Sequence, residues 1–261
     1  MFHLQLLLSF LVGGLAVAFQ TLIGERVSLR WRGPVLTIPS TLGLSLFFVG
    51  LTKGTSAGSE AAMIVPAALG AEFLFVMAFA LFVRHGILTA LLLSALVIFA
   101  GGSVVLFFPP ATLFSSVFLY GIPAILVAYG VVRALPQVSR LTPVPMTVRY
   151  IAMRSLLGGS ILVTVILLAK FLGNTWGGLF SAFPAVFLST FLIYYFAHGR
   201  AVIPSVARSM FFPGSLGLML FAVVAMGSFP LVGVWAGTAL SYLASACFVV
   251  GYNYGITIAR R

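Results

Sequence analysis

The sequence predicts an all-α integral membrane protein of about nine transmembrane helices, arranged as two inverted four-helix repeats joined by a connector helix. Three observations predict this class. Of 261 residues, 62% are hydrophobic and 7% are charged, whereas a soluble domain carries roughly 25% charged residues. The apolar runs are long enough for helices of ~20 residues that cross a bilayer. Residues 11–54 also recur, in outline, as residues 156–199.

Nine apolar runs, bounded by Gly, Pro or charged residues, are the candidate spans. Gln5 and Ser9 interrupt the first run and no basic segment precedes it, so we expect a retained helix and not a signal peptide. The shortest turns separate the third run from the fourth and the eighth from the ninth. The runs cover residues of about 3–23, 34–52, 61–83, 86–108, 112–132, 150–172, 179–197, 208–228 and 230–254.

The basic residues predict the orientation of these spans. With nine spans, all twelve arginines fall on one side of the membrane, and Lys53 and Lys170 fall on the other. Short loops rich in Lys and Arg stay in the cytoplasm. We therefore expect a multi-pass protein of the cell (inner) membrane, with the N-terminus outside and the C-terminus in the cytoplasm. The arginines form no patch with interleaved aromatic residues, so we expect contact with the lipid bilayer and no nucleic acid.

The repeat divides the chain into two halves. Residues 1–110 hold the first four spans, residues 111–149 the connector helix and a linker, and residues 150–261 the last four spans. Four spans plus one connector start the second copy from the opposite side of the membrane, which predicts inverted copies of the kind that many transporters have. The identities are Leu11, Gly13, Gly14, Leu22, Trp31, Gly33, Pro39 and Gly54, matched 145 positions later, and Pro66, Leu69 and Gly70, matched 147 positions later.

Glu72 is the polar residue that most needs an explanation. It is one of three acidic residues in the chain and is expected near the middle of the third span. An ionised carboxylate at that depth costs at least ~2.5–3.5 kcal/mol, so it must be protonated, paired or in contact with water. A proton-coupled carrier uses such a group, and a neutral Glu that bonds a neighbouring helix is the alternative. Gln20, late in the first span, is expected either to line a polar path or to bond a neighbouring helix.

Two aligned prolines are the second candidate feature, because Pro39 and Pro184 both fall near the start of a span. A proline there interrupts the helix, and irregular backbone at membrane depth must be buried in protein or line a wet cavity. Corresponding interruptions in both halves point to a binding site between the repeats, although a kink that improves packing is the alternative. The hydroxyl groups that follow belong to Ser40 and Thr41 in the first copy and to Ser189 and Thr190 in the second.

The stretch Gly178-Leu179-Phe180-Ser181-Ala182-Phe183-Pro184, after the Gly158-Gly159 helix, resembles the GlpM-like family of small four-helix bacterial inner-membrane proteins. The resemblance covers spans 6 to 9 and, more faintly, spans 1 to 4, where Thr37-Ile38-Pro39 replaces Ala-Phe-Pro. It implies a duplicated membrane protein and no defined chemistry. The plan of four helices, a connector and four inverted helices is similar to the two-domain fluoride channels, whose Asn-centred pore motif is missing from residues 39–43 and 184–188.

No pattern in the chain predicts an enzyme. The three histidines fall at span edges, there is no Asp, and no nucleotide or metal motif occurs. The single cysteine, Cys247, excludes an intrachain disulfide. We expect no cofactor and no metal.

The expected function is secondary transport of a small solute or ion, coupled to protons. Glu72 is the expected proton or substrate carboxylate, and the interrupted starts of spans 2 and 7 form the expected site. The alternatives are a passive ion channel and a non-transporting membrane subunit, for example of envelope assembly. The substrate, the direction of transport and the oligomeric state do not follow from the sequence.

Overall fold

A computed structural model describes residues 2–27, 31, 35, 37–136, 138, 144 and 147–258. These residues form helices and turns, with no strand among them. In chain order, the α-helices are α1 (Phe2–Arg26), α2 (Ser40–Lys53), α3 (Thr55–Phe82), α4 (Ile87–Phe107), α5 (Ile122–Ala134), α6 (Val148–Leu172), α7 (Asn174–Ser181), α8 (Ala185–His198) and α9 (Ile203–Ile258). A π-helical segment, Ser115–Gly121, precedes α5, and 3-10 turns at Val83–His85 and Arg200–Val202 follow α3 and α8.

Seven helical segments in the described part of the chain are long and apolar enough to cross a bilayer. Their outer faces carry large exposed apolar side chains, such as Leu15, Phe19, Leu92, Phe99 and Leu126. Such a surface is suited to lipid and not to water. The chain is therefore a multi-pass membrane protein. The segments are His3–Gly24, Thr55–His85, Ile87–Phe107, Ser115–Ala134, Val148–Leu172, Asn174–His198 and Arg200–Gly255.

The boundary expected between the last two spans is wrong. We predicted a division near residue 229, but α9 continues through Pro230 and changes direction at Gly233, whose φ of 81° and ψ of 170° are not helical. Because Gly has no Cβ atom, it adopts a positive φ of this kind without steric strain. The seven segments become nine spans if the shorter apolar helix α2 is one further span and the two parts of α9 are two separate spans. The count of nine spans stays a prediction.

The central helix is α3. In the most apolar stretch of the segment that contains α3, 83% is buried inside the protein, whereas the value for α4 is 22%. Helix α3 packs against α2, α4, α5, α7 and α9. Pro66 interrupts the hydrogen-bond ladder inside α3. At that point, the hydroxyl of Ser116 in the π-helical segment accepts a hydrogen bond of 3.1 Å from Ala67 N–H. The neighbouring segment thus supplies a partner at the interruption, as a membrane interior requires.

Helices α1 and α6 pack against each other through paired glycines. A Cβ atom on Gly13 would lie 2.8 Å from Leu162 Cδ2, and one on Gly158 would lie 2.6 Å from Val17 Cγ2. Without side chains at these positions, the two backbones approach closely, as small residues allow in membrane helices. Residues 34 and 36, at the start of the predicted second span, and much of the predicted linker (137, 139–143 and 145–146) lie outside the described residues.

Candidate functional site

Glu72 lies near the middle of the central helix. Twelve residues separate it from Glu60 in the second turn of α3, and twelve separate it from Arg84, just past the end of α3. Each interval is about 18 Å long at the rise of an α-helix. Only 4% of the Glu72 side chain is exposed. The carboxyl group therefore lies deep in the protein, as the sequence predicts.

The two ends of α3 carry different charged groups. At its start, Asn174 Nδ2 donates to Glu60 Oε2 and Lys53 Nζ donates to Asn174 Oδ1, both at 2.7 Å. Past its end, Arg200 Nη1 donates to the carbonyl oxygen of Arg84 at 2.7 Å. A lysine and two arginines thus lie at opposite ends of α3, in agreement with the predicted segregation. Which end faces the cytoplasm stays a prediction.

The first proline interruption is a tight turn before α2. Pro39, with φ −68° and ψ 64°, directly precedes the helix. Ser40 N–H donates to Ile38 O at 2.7 Å, and Ile38 N–H donates to Val35 O at 3.3 Å. Gln20 Nε2, on α1, donates to both Val35 O and Ile38 O, at 2.9 and 2.8 Å. Gln20 therefore bonds a neighbouring element, which is one of its two expected explanations, and it does not line the cavity described below.

The second proline interruption repeats this geometry between α7 and α8. Pro184, with φ −75° and ψ 47°, directly precedes α8. Ala185 N–H donates to Phe183 O at 2.7 Å, and Phe183 N–H donates to Phe180 O at 3.1 Å. These bonds join the same relative positions as those around Pro39, 145 residues earlier. The two aligned prolines thus make the same local turn.

Both turns border a single cavity that also contains Glu72. The space open to the centre of a water molecule is about 20 Å³, which holds one or two waters. The fold thus brings Glu72, Pro39, Ser40 and Thr41 together beside the turn that precedes Pro184. The lining residues are Thr37, Ile38, Pro39, Ser40, Thr41, Leu42, Glu72, Ser181, Ala182, Phe183, Val186, Phe187 and Leu218.

Two polar atoms at the cavity have no hydrogen-bond partner among the described residues. They are Oε2 of Glu72 and Oγ of Ser40, and both are buried. Buried polar groups nearly always find a partner, so each such atom in a cavity needs an explanation. A bound water, proton donor or small ion in the cavity would provide one. The described residues that line the cavity include no Lys, Arg or His.

Three of the predicted site residues in the second copy lie beside the cavity and not on its wall. Pro184 is adjacent to the lining residue Phe183. The Ser189 hydroxyl donates to Val186 O in its own helix at 3.2 Å. Thr190 Oγ1 accepts a hydrogen bond of 3.0 Å from Arg154 Nη2. In the second copy, the polar groups after the proline therefore bond within the protein.

The burial of Arg154 was not predicted. From the sequence it was an arginine near a helix end, and it does lie in the second turn of α6, but its side chain is only 2% exposed. A buried guanidinium group requires hydrogen-bond acceptors. The Thr190 hydroxyl is one of them.

Some residues on or beside the cavity wall were not predicted from the sequence. Tyr242 lies 203 residues beyond Pro39, and its hydroxyl donates to Pro39 O at 3.0 Å. Ser181 lines the cavity while its hydroxyl donates to Gly178 O at 2.7 Å. The position of Leu218 had a signal in the sequence, because the neighbouring Met219 aligns with Glu72. Tyr242 had no such signal.

In the part of the chain that the structure describes, no three side chains of the His, Cys, Asp or Glu types gather where they could hold a metal ion. The carboxyl group of Glu72 and the surrounding hydroxyl groups are therefore the chemistry that the site offers. These groups can bind a proton, a water molecule or a small ion.

Comparison with known proteins links the second half of the chain to a family. Residues 151–250 match the profile of a family described as "Protein of unknown function (DUF3147)". The match covers most of the predicted second repeat and leaves the first unmatched. No curated protein and no solved structure matches the chain. The resemblances to the GlpM-like family and to the fluoride channels stay predictions.

Proposed function

We propose that this chain is a secondary membrane transporter in which Glu72 binds the coupling proton and a small solute or ion passes through the cavity beside it. One observation carries the proposal. An oxygen of the buried Glu72 carboxyl group has no partner among the described residues, and Glu72 lines a cavity that both proline turns border. Acidic groups inside a membrane typically mark proton or ion pathways, and matched interruptions of two helices typically mark the substrate site.

The proposal includes nine spans in two inverted repeats, and repeated glycine conformations support it. Gly54 and Gly199 end α2 and α8, with φ of 98° and 79°. Gly86 and Gly233, with φ of 116° and 81°, lie at the next break in each half. These pairs are separated by 145 and 147 residues, the same two offsets that relate the matching residues in the sequence.

Reciprocal contacts between α1 and α6 support the same architecture. Gly13 faces Leu162, and its counterpart Gly158 faces Val17, which is the counterpart of Leu162. A two-fold relation between two like units produces such exchanged pairs. The inversion itself rests on the charge distribution and on the offset of five proposed spans from each helix to its equivalent, because an odd offset reverses the direction of crossing.

The small volume of the cavity supports a carrier more than an open channel. Space for one or two waters does not make a continuous path across a membrane. A solute larger than a small ion requires the two interrupted helices to move. The turns at Pro39 and Pro184 interrupt the regular backbone before α2 and α8, and prolines are places where helices commonly bend.

The test is proton flux in proteoliposomes that contain a pH-sensitive dye. Wild type and Glu72→Gln are challenged in parallel with gradients of inorganic ions, organic acids, amines and polyols. We expect at least one gradient to drive proton movement in wild type, and we expect Glu72→Gln to reduce this movement to the level of empty liposomes. Glutamine keeps the shape of the side chain but cannot exchange a proton.

Glu60→Gln is the matched control. It removes a carboxylate from the same helix, but Glu60 is exposed and bonded to Asn174. We expect it to retain wild-type flux. Flux that survives Glu72→Gln would support a passive channel, and an absence of flux across all gradients would support the non-transporting subunit.

A further inference from the structure

Two helices begin at the cavity wall. Thr41 and Leu42 belong to the first turn of α2, and Val186 and Phe187 belong to the first turn of α8. The N–H groups of a first helical turn have no acceptor within the helix, and this end of a helix carries a partial positive charge. Both helices have 14 residues, so each has a substantial dipole. The field at the cavity therefore favours negative charge.

Three carbonyl groups of the first turn already accept two hydrogen bonds each. Val35 O and Ile38 O both accept from Gln20 Nε2 and from a backbone N–H group. Pro39 O accepts from Gly43 N–H and from the Tyr242 hydroxyl. A hard cation needs several oxygen ligands. These three carbonyl groups have little capacity left for one.

The two unpartnered polar atoms can complete an anion site. Ser40 is 8% exposed and Glu72 is 4% exposed, and both line the cavity. A hydroxyl group and a protonated carboxyl group can each donate one hydrogen bond to an anion. An ionised Glu72 carboxylate would instead repel an anion, and it would itself interact with the positive ends of α2 and α8 in place of the anion. Binding of the anion thus requires a proton on Glu72.

We propose that the cavity binds one small anion together with one proton on Glu72, and that the two cross the membrane together. This inference rests on the proposed transport function and specifies its substrate. The size of the cavity restricts the anion to species such as chloride, nitrate or formate. The proton leaves Glu72 on the same side on which the anion leaves the cavity. The transported charge is therefore zero for each cycle.

Glu72 is the only titratable residue among the described residues that line the cavity. The helices packed against α3 hold other titratable groups, each occupied or placed elsewhere. Tyr242 donates to Pro39 O, Tyr120 donates to Phe108 O, and Tyr129 packs on the rings of Phe211 and Phe212. Lys53, Arg133 and Arg208 are exposed at or near helix ends. Glu72 is therefore the group that we expect to control anion binding.

The first experiment compares anion and cation gradients in proteoliposomes that contain the full chain. Chloride, nitrate and formate are the anion probes, and sodium, potassium and methylammonium are the cation probes. We expect an inward anion gradient to acidify the lumen at one proton for each anion, with a rate that does not change when the membrane potential is clamped. Proton flux that depends on Glu72 and responds only to cations would overturn the anion inference and leave the transporter proposal standing. Silence with every probe would overturn both.

The second experiment uses two buried serines of α2. Ser40 and Ser45 both have a hydroxyl with no partner among the described residues, but only Ser40 lines the cavity. Loss of a hydrogen bond to a charged ligand weakens binding about tenfold. We expect Ser40→Ala to raise the anion concentration for half-maximal flux by about this factor, and Ser45→Ala to leave it unchanged. Equal effects of the two substitutions would overturn the site.

A measurement on wild type alone keeps the inference testable if the variants fail to fold. A ligand that binds the folded state raises its thermal stability. We expect chloride, compared with gluconate at equal ionic strength, to raise the midpoint of thermal unfolding in detergent, and to do so more at acidic than at alkaline pH. The same shift with both anions, or a larger shift at alkaline pH, would contradict the proposal.

Discussion

The two proline turns share a backbone and differ in their side chains. Pro39 and Pro184 have similar φ and ψ angles, and the hydrogen bonds around them join equivalent atoms. Among the described residues that line the cavity, hydroxyl groups directly follow the proline in the first copy only. Ser40 and Thr41 correspond to Ala185 and Val186, Gln20 corresponds to Val165, and Glu72 corresponds to Met219. Both turns shape the cavity, and the second contributes the hydroxyl group of Ser181, which already donates to Gly178 O.

This difference has a physical reason in the size of the cavity. A space for one or two waters between the two copies can accommodate one carboxyl group. A second carboxyl group so close would repel the first, and one of the two would have to stay protonated. The proposed duplication therefore needs to preserve the shape of both turns but the chemistry of only one. We expect substitutions at equivalent positions of the two copies to have unequal effects.

The largest effect is expected at Gly43, whose counterpart is Leu188. A Cβ atom on Gly43 would lie 2.6 Å from the Tyr242 hydroxyl oxygen and 2.9 Å from Phe221 Cζ. Gly43→Leu must therefore displace the hydroxyl that bonds Pro39 O, and the added volume costs about 1–3 kcal/mol. We expect proton flux to fall to background, together with a lower midpoint of thermal unfolding in detergent.

Gly130→Leu is the control for this substitution. Gly130 is an exposed helical glycine, and a Cβ atom there would meet no atom within 4 Å. We expect wild-type flux from this variant. Normal flux in Gly43→Leu would mean that transport does not depend on the position of Tyr242 at the first turn. The contact between Tyr242 and Pro39 O would then not be a functional difference between the two turns.

A smaller effect is expected at Gln20, because each carbonyl group that it bonds keeps a backbone partner. Gln20→Leu removes two hydrogen bonds at a net cost of about 1 kcal/mol each. We expect the free energy of unfolding to fall by about 2 kcal/mol and the flux to fall severalfold as the turn before α2 loosens. Gln5→Leu, on the same helix but distant from the turn, serves as the control. A flux in Gln20→Leu equal to that in Gln5→Leu would show that the first turn holds its shape without α1.

Much of the fold was predictable because membrane helices leave strong patterns in a sequence. Long apolar runs indicated the helices, and the aligned prolines indicated where two of them are interrupted. The division of α9 was misplaced because Ser228-Phe229-Pro230 looks like a loop. Pro230 is nevertheless inside the helix, and the change of direction is at Gly233. Extending the 147-residue offset would have aligned Gly233 with Gly86, so the signal was present.

The candidate site was only partly predictable. Glu72 stood out because a carboxyl group is rare at that depth, and Pro39 and Ser40 followed from the repeat. The hydrogen bond from Tyr242 to Pro39 O depends on how α9 packs against α2, and no local pattern reports such a contact. The burial of Arg154 likewise depends on its neighbours, since its place near the end of a helix would equally suit an exposed arginine.

The smallest effect is expected at Ser189, the predicted site residue whose hydroxyl bonds within its own helix. Such a bond to the preceding turn contributes little to stability, and Ser189 does not line the cavity. We expect Ser189→Ala to change the half-maximal substrate concentration by less than about twofold, against about tenfold for Ser40→Ala. If Ser189→Ala weakens transport as much as Ser40→Ala does, the second copy must supply a hydroxyl group to the substrate in another state of the cycle. The difference in chemistry between the two copies would then belong to one conformation and not to the whole transport cycle.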